Sequence, residues 1–231
     1  MNKPIDTVEA LSIAVFAFEQ NNKKVVKDTS IQKGTDGLEI KQFSNKSYLL
    51  SQLDNKFTGT AMYPTGVNIT DAHRQTAVDI KTWFGHSHLM AVLSKGQVSD
   101  FHDKLYGIVS EDTVRSRNFG LLCWAPKLHH DGLIHEQSRE TSARYEMTSK
   151  PIGKIGSKIE INLEVIEKRY VRHLNVWSVY GHNGTGNLVQ FLTKHERLCV
   201  SQRITARIKD VGRSPYHNEA FVTDLNFVKA V

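Results

Sequence analysis

The order of apolar and polar positions changes character near Lys150. Beyond it apolar residues alternate with polar ones, and ahead of it they recur every three or four positions. In residues 157–167, Ile159, Ile161, Leu163 and Val165 fall on one side and Glu160, Asn162 and Glu164 on the other. That is the period-two signature of a half-buried strand. Residues 174–180 form a second apolar run. It ends at the cluster Gly181-His182-Asn183-Gly184-Thr185-Gly186-Asn187, a turn signal because Gly and Asn tolerate positive φ. Residues 188–193 follow at hairpin distance, and residues 203–209 set Ile204, Ala206 and Ile208 against Arg203, Thr205, Arg207 and Lys209. A loop rich in turn formers then leads to residues 221–228. The pattern predicts five short strands in succession, with one longer link.

The first half predicts helices. In residues 6–20 Asp6 and Glu9 have the spacing of a capping box, Val8, Leu11, Val15 and Phe18 share a stripe, and Asn21-Asn22 end the run. Residues 23–43 are mixed, and Val25-Val26 and Leu38-Glu39-Ile40 suit short strands or short helices equally. Residues 48–53 fit a short helix, and residues 56–68, with Gly59, Pro64 and Gly66, a loop. Thr70 or Asp71 caps a helix through Trp83-Phe84, with Ala72, Ala77, Ile80 and Phe84 inward and Gly85 as its stop. Residues 88–93 follow as a short apolar helix closed by Lys95-Gly96, and Ser99 caps a helix over 100–109 carrying Phe101, Leu105 and Ile108. Residues 119–126 are expected as a buried strand or a core-crossing turn. Residues 132–149 are polar and expected as a linker, with the option of one extra strand.

Charge divides the chain at the same place. Residues 150–231 hold 13 Lys and Arg against seven Asp and Glu, so the whole net charge of +6 falls there. An excess on one half suits a polyanionic partner. Chemistry of other kinds finds little support. His86, His88, His129, His130 and Asp131 invite a metal, but no HExxH, paired CxxC or acidic two-metal cluster accompanies them, so neither metal nor cofactor is expected. No nucleophile elbow or Walker motif occurs, and the Gly181–Asn187 cluster precedes a strand rather than the helix that would hold a phosphate. Cys123 and Cys199 stand apart in apolar company, as reduced, buried thiols do. No apolar run approaches 18 residues and the N-terminus has no apolar signal core, so a cytoplasmic, non-membrane protein is expected.

Five short strands with a longer link fit a small Greek-key barrel of the OB type. The expected class is therefore α+β, with a mainly helical region of unassigned role over residues 1–140 and a five-stranded OB-type β-barrel over 141–231. The strings GKIGSKIEINLEV, GTGNLVQFLTK and ITARIKDVGRSPYHNEAFVTDLNFVK carry Gly153, Gly156, Gly186, Asn187, Ile204, Ala206, Ile208, Lys209, Thr223, Leu225, Val228 and Lys229. In that frame the region resembles the C-terminal OB domain of phage-encoded replication and single-stranded DNA-binding proteins, over about a third of the chain. Gly96, Ser99, Phe101, Leu105, Gly120, Leu121, Leu122, Pro126 and Lys127 extend a looser likeness upstream. The third strand has Phe191 where the family usually has Trp.

The resemblance implies a non-enzymatic protein that coats single-stranded DNA, with RNA possible, during replication or recombination in an infected bacterial cell. Replication or recombination proteins are its implied partners, and a homo-oligomer is open. A barrel of this type binds across its second and third strands, between the first-to-second and fourth-to-fifth loops. Cations would track phosphates and aromatic faces would stack bases. The candidates are Lys168, Arg169, Tyr170 and Arg172 in the first loop, Trp177 and Phe191 on the strands, and Lys194 after them. Arg207, Lys209, Arg213 and Tyr216 come from the fourth strand and its loop. Trp177 is expected to face the ligand and Tyr180 the core. Lys56, Phe57 and Tyr63 suit loop anchoring or nucleic-acid contact. The other reading is an adaptor whose helical half docks a polymerase, helicase or host factor; separately, the ending NFVKAV lacks the acidic tail of many coating proteins, which speaks against a general housekeeping coat.

Overall fold

Asp6 opens the first helix as the capping pattern predicts. In the computed structural model, which describes residues 4–33, 39–53, 57, 63–93, 98–214 and 219–231, the Glu9 N–H donates to Asp6 Oδ1 at 2.9 Å. The chain divides into two compact units, Met1–Gly132 and Leu133–Val231.

The first unit is mainly helical. Its elements are β1 (Ile5–Asp6), α1 (Thr7–Gln20), β2 (Ser30–Lys33), β3 (Glu39–Gln42), α2 (Asn45–Leu53), α3 (Asp71–Leu93), α4 (Asp100–Ser110), β4 (Thr113–Val114), α5 (Phe119–Leu122) and the start of α6 (Ala125–Glu146). α1 is buried on most of its circumference: Ala10, Ile13, Ala14 and Ala17 join Leu11, Val15 and Phe18 inside, so it forms the centre of this core. Of the undecided segments, Glu39-Ile40 falls in β3, which pairs antiparallel with β2, while Val25-Val26 is neither strand nor helix and Leu38 lies outside the described residues. Ser99 caps α4 through the His102 N–H, and Leu105 and Val109 carry its buried face.

Four expectations are corrected. Gly85 does not stop a helix; α3 runs through it for 23 residues. Gly85 has a negative φ, and glycine costs a helix interior only about 1 kcal/mol. Ala77, Ile80 and Phe84 are buried as expected, but Ala72 is exposed. Residues 119–126 are neither a strand nor a simple core-crossing turn: α5 and the start of α6 meet at a two-residue turn, 123–124. Most of residues 132–149 is helix rather than linker, because α6 extends to Glu146.

The second unit contains β5 (Lys158–Val171), β6 (Val176–His182), β7 (Leu188–Thr193), β8 (Gln202–Ser214) and β9 (Ala220–Ala230). These five strands form one sheet in the order β5-β6-β7-β9-β8, and β8 pairs back onto β5. All pairings are antiparallel except β7 with β9. The closed sheet surrounds Ile161, Leu163, Val179, Val189, Phe191, Ile204, Ala206, Ile208 and Leu225, of which Ile161, Leu163, Ile204, Ala206 and Ile208 are positions that alternation turns inward on β5 and β8. Residues 133–146 of α6 lie on the outer side. Ser138 Oγ donates to Ile166 O at 2.9 Å, and Ser142 Oγ bonds the Tyr180 hydroxyl at 3.1 Å. Beyond the helix, Ser149 Oγ donates to Phe221 O at 2.6 Å and accepts from the Leu188 N–H at 2.8 Å, joining β9 to β7. Tyr180, Leu188, Ala220 and Val222 form a small apolar layer on this side, with Tyr145 and Ile166 against it.

Candidate nucleic-acid interface

Side-chain direction on the closed sheet decides which candidates meet. Val179 points inward, so its direct cross-strand partner Lys168 lies on the inner side, and the next pair in the same direction is Tyr170 with Trp177. A register shift between Val165 and Glu167 places Ile166 with the outer layer and hands the inner side to Lys168 and Tyr170. The β5–β6 hairpin thus carries a cation and two rings on one side. Lys168 Nζ lies 5.7 Å from the Trp177 ring centre, and the Tyr170 and Trp177 rings are 5.1 Å apart. The Tyr170 hydroxyl donates to Asn175 Oδ1, and Asn175 has a φ of 52°, so the hairpin tip is fixed by a left-handed residue that Asn accommodates.

Tyr170 is 43 % exposed, enough ring to accept a stacked base, while Trp177 is half-buried at the edge of the core. Arg172 is exposed in the 3-10 turn Arg172–Leu174 at the tip. Lys194 is exposed one residue beyond Thr193, the partner of Trp177 on β7. Lys168, Tyr170, Arg172, Trp177 and Lys194 therefore gather at one end of the closed sheet.

The other candidates lie elsewhere. Phe191 is 4 % exposed in the core, opposite Val179, and has no face to offer a base. Arg169 pairs across to Ser178 on the outer side, away from Lys168. Arg207 and Lys209 lie on β8, which is separated from β6 by β5 and from β7 by β9. Arg213 is occupied locally: its guanidinium sits 4.7 Å from the Phe221 ring and donates to Glu219 O at 3.2 Å. Tyr216 lies outside the described residues, as does Lys56. The rings of Phe57 and Tyr63 are 5.0 Å apart.

The expected trough across β6 and β7 is corrected as well. Tyr180 is buried, but under α6 rather than in the sheet's interior, and with Leu188 it is covered on the outer side. Trp177 points to the inner side, not outward across the strands. A groove of about 620 Å³ does open between α6 and β5–β6, but Glu136, Glu140, Glu146 and Glu167 line it with Arg139, a charge that repels phosphate. Burial there pushes the Tyr180 phenol up to about 12, with Glu146 and Glu167 adding to the rise against the Ser142 hydrogen bond.

Other chemistry has little purchase. Burial pushes the Cys123 thiol up to about 12, well away from nucleophilic range. Among the described residues no group of three or more His, Cys, Asp or Glu is placed to hold a metal ion, and no helix is long and apolar enough to cross a membrane.

One exposed aromatic escaped the sequence reading. Strict alternation from Leu225 puts Phe227 inside, but it is 73 % exposed. No family model matches the chain, and neither a curated protein nor a solved structure matches it.

Proposed function

We propose that the chain binds single-stranded nucleic acid at the β5–β6 end of its closed sheet, as a non-enzymatic coating protein of DNA replication or recombination. The observation that carries this reading is the grouping of Lys168, Tyr170 and Trp177 on one side of the hairpin, with Arg172 and Lys194 beside them. Cations spaced among ring faces are what a sequence-tolerant single-strand site needs, since phosphates are tracked by charge and every base has a stackable face. We also read the closed sheet as an OB-type barrel. Its order of first, second, third, fifth and fourth strands, with the third and fifth parallel, supports that assignment. A phage-infected bacterial cell is the setting the family resemblance implies, and DNA rather than RNA belongs to the same proposal.

The test is fluorescence anisotropy of a labelled oligo(dT) of about 8 nucleotides, short enough for the hairpin end alone, titrated with the full chain over a salt series. Three phosphate contacts, from Lys168, Arg172 and Lys194, give a slope of log K against log salt near about −2, at roughly −0.7 per contact. No binding at about 50 mM salt removes the reading.

One observation favours the adaptor instead. At the end of α3, Leu89, Met90, Val92 and Leu93 are between 52 and 68 % exposed on a helix of the first unit. Exposed apolar groups clustered in this way mark partner surfaces. On that reading the salt series shows no binding, and Leu89→Asp with Leu93→Asp removes a protein partner while leaving the fold intact.

A further inference from the structure

Phe227 combines a left-handed backbone with an exposed ring. Thr205 pairs with Lys229 and Arg207 with Asn226, so β9 spends one residue more than β8 between the two pairs. In the resulting bulge Phe227 has a φ of 51°. That left-handed conformation is one glycine adopts readily and a bulky residue holds at a cost of about 1–3 kcal/mol. The neighbouring Asn226 adds a second cost, because its Oδ1 is buried with no hydrogen-bond partner among the described residues. Little is recovered by burial, since the ring stays 73 % exposed and its one ring contact among the described residues is with the Arg207 guanidinium. A position that strains the backbone and buries no ring is explained by what the ring offers outside the molecule.

Its surroundings are basic. Arg207 lies directly opposite Asn226 on one side and Lys158 on the other, and its guanidinium is 5.8 Å from the Phe227 ring centre. Lys229, opposite Thr205, is on the same outward face, and Arg203 is there too, held by Glu160. Strand β5 links the two places, with Lys158 on the outward side at its start beside β8 and Lys168 and Tyr170 on the inner side near its end beside β6.

We propose that this β8–β9 face is a second contact for the same single strand, with Phe227 stacking one base and Lys158, Arg207 and Lys229 following the phosphates as the strand leaves the β5–β6 end. The inference rests on the functional reading above and extends it from a local site to a path around the sheet. It assigns ring stacking to Phe227, and it makes affinity depend on length beyond what the hairpin end can cover.

The test compares Phe227→Gly with the unaltered chain on oligo(dT) of about 8 and about 30 nucleotides. Glycine suits the left-handed bulge, so the variant unfolds at the same or a higher temperature, whereas a merely structural ring would leave it less stable. Affinity for the long oligonucleotide falls about 10-fold, the effect of one lost stack, and affinity for the short one stays within twofold. Arg207→Gln with Lys229→Gln, both outward, gives the same length-dependent loss and a shallower salt slope. If the unaltered chain binds both lengths and these variants bind the long one equally well, the second contact is wrong and the hairpin site stands. If the unaltered chain binds neither length, the functional reading fails, and this one with it.

Discussion

Gly181→Val disrupts the closed sheet. A β-carbon at Gly181 would sit 2.2 Å from Glu164 O and 3.1 Å from Glu164 C, both backbone atoms of the neighbouring strand. Gly181 pairs with Val165 next to the β5 bulge, where the neighbouring backbone leaves no room for a side chain. A side chain elsewhere can rotate out of the way, but here the strands themselves must separate, and with them the register that places Lys168 and Tyr170. The expected loss is about 3 kcal/mol or more, at the upper end for an overpacked core. Urea unfolding followed by circular dichroism measures it. Gly212→Ala is the control, since a β-carbon there meets nothing within 4 Å on exposed β8, and it changes stability by less than about 1 kcal/mol. A Gly181→Val protein with the unaltered midpoint would mean that the strands do not approach in this way.

Reversing the charge of Lys168, Arg172 and Lys194 together, each to Glu, removes most of the binding. The three side chains are exposed, so the fold survives the change. Three single-strand phosphate contacts are worth about two decades of affinity at 100 mM salt relative to 1 M, and reversal adds repulsion to that loss. The expectation is at least about a 100-fold fall at 100 mM salt, shrinking as salt is raised. By contrast, Arg213→Glu leaves affinity within a few-fold, because Arg213 is already turned to Phe221 and Glu219. Equal losses from the two variants would point to diffuse attraction by a basic surface rather than to a site.

The strands of the second unit were legible because each buries one side. Ile159, Ile161 and Leu163, then Ile204, Ala206 and Ile208, alternate in the sequence and point inward in the fold, and β7 begins and ends where its apolar run does. Helix α6 was not legible. It meets the sheet through Ser138 and Ser142, which hydrogen-bond instead of forming an apolar stripe, so its pattern has no helical period to find. That helix decides which side of β6 stays open. Alternation correctly set Trp177 and Tyr180 on opposite sides, but it could not say that Tyr180 would be covered from outside. Bulges did the rest. One extra residue near Ile166 turns Lys168 and Tyr170 to the inner side, and another near Phe227 turns a ring outward that strict alternation buries. A bulge changes parity without changing composition, which is why the hydrophobic pattern located the strands better than the surface they present.

Trp177 reports directly on whether the hairpin end is where the strand sits. With Trp83 and Trp124 replaced by Phe, the remaining indole emission is followed as oligo(dT) is added at low salt. Stacking beside Trp177 predicts saturable quenching that is reversed by raising the salt and absent in the Lys168, Arg172 and Lys194 reversal variant. Emission that stays constant while anisotropy shows the oligonucleotide bound would place the nucleic acid elsewhere and contradict the account.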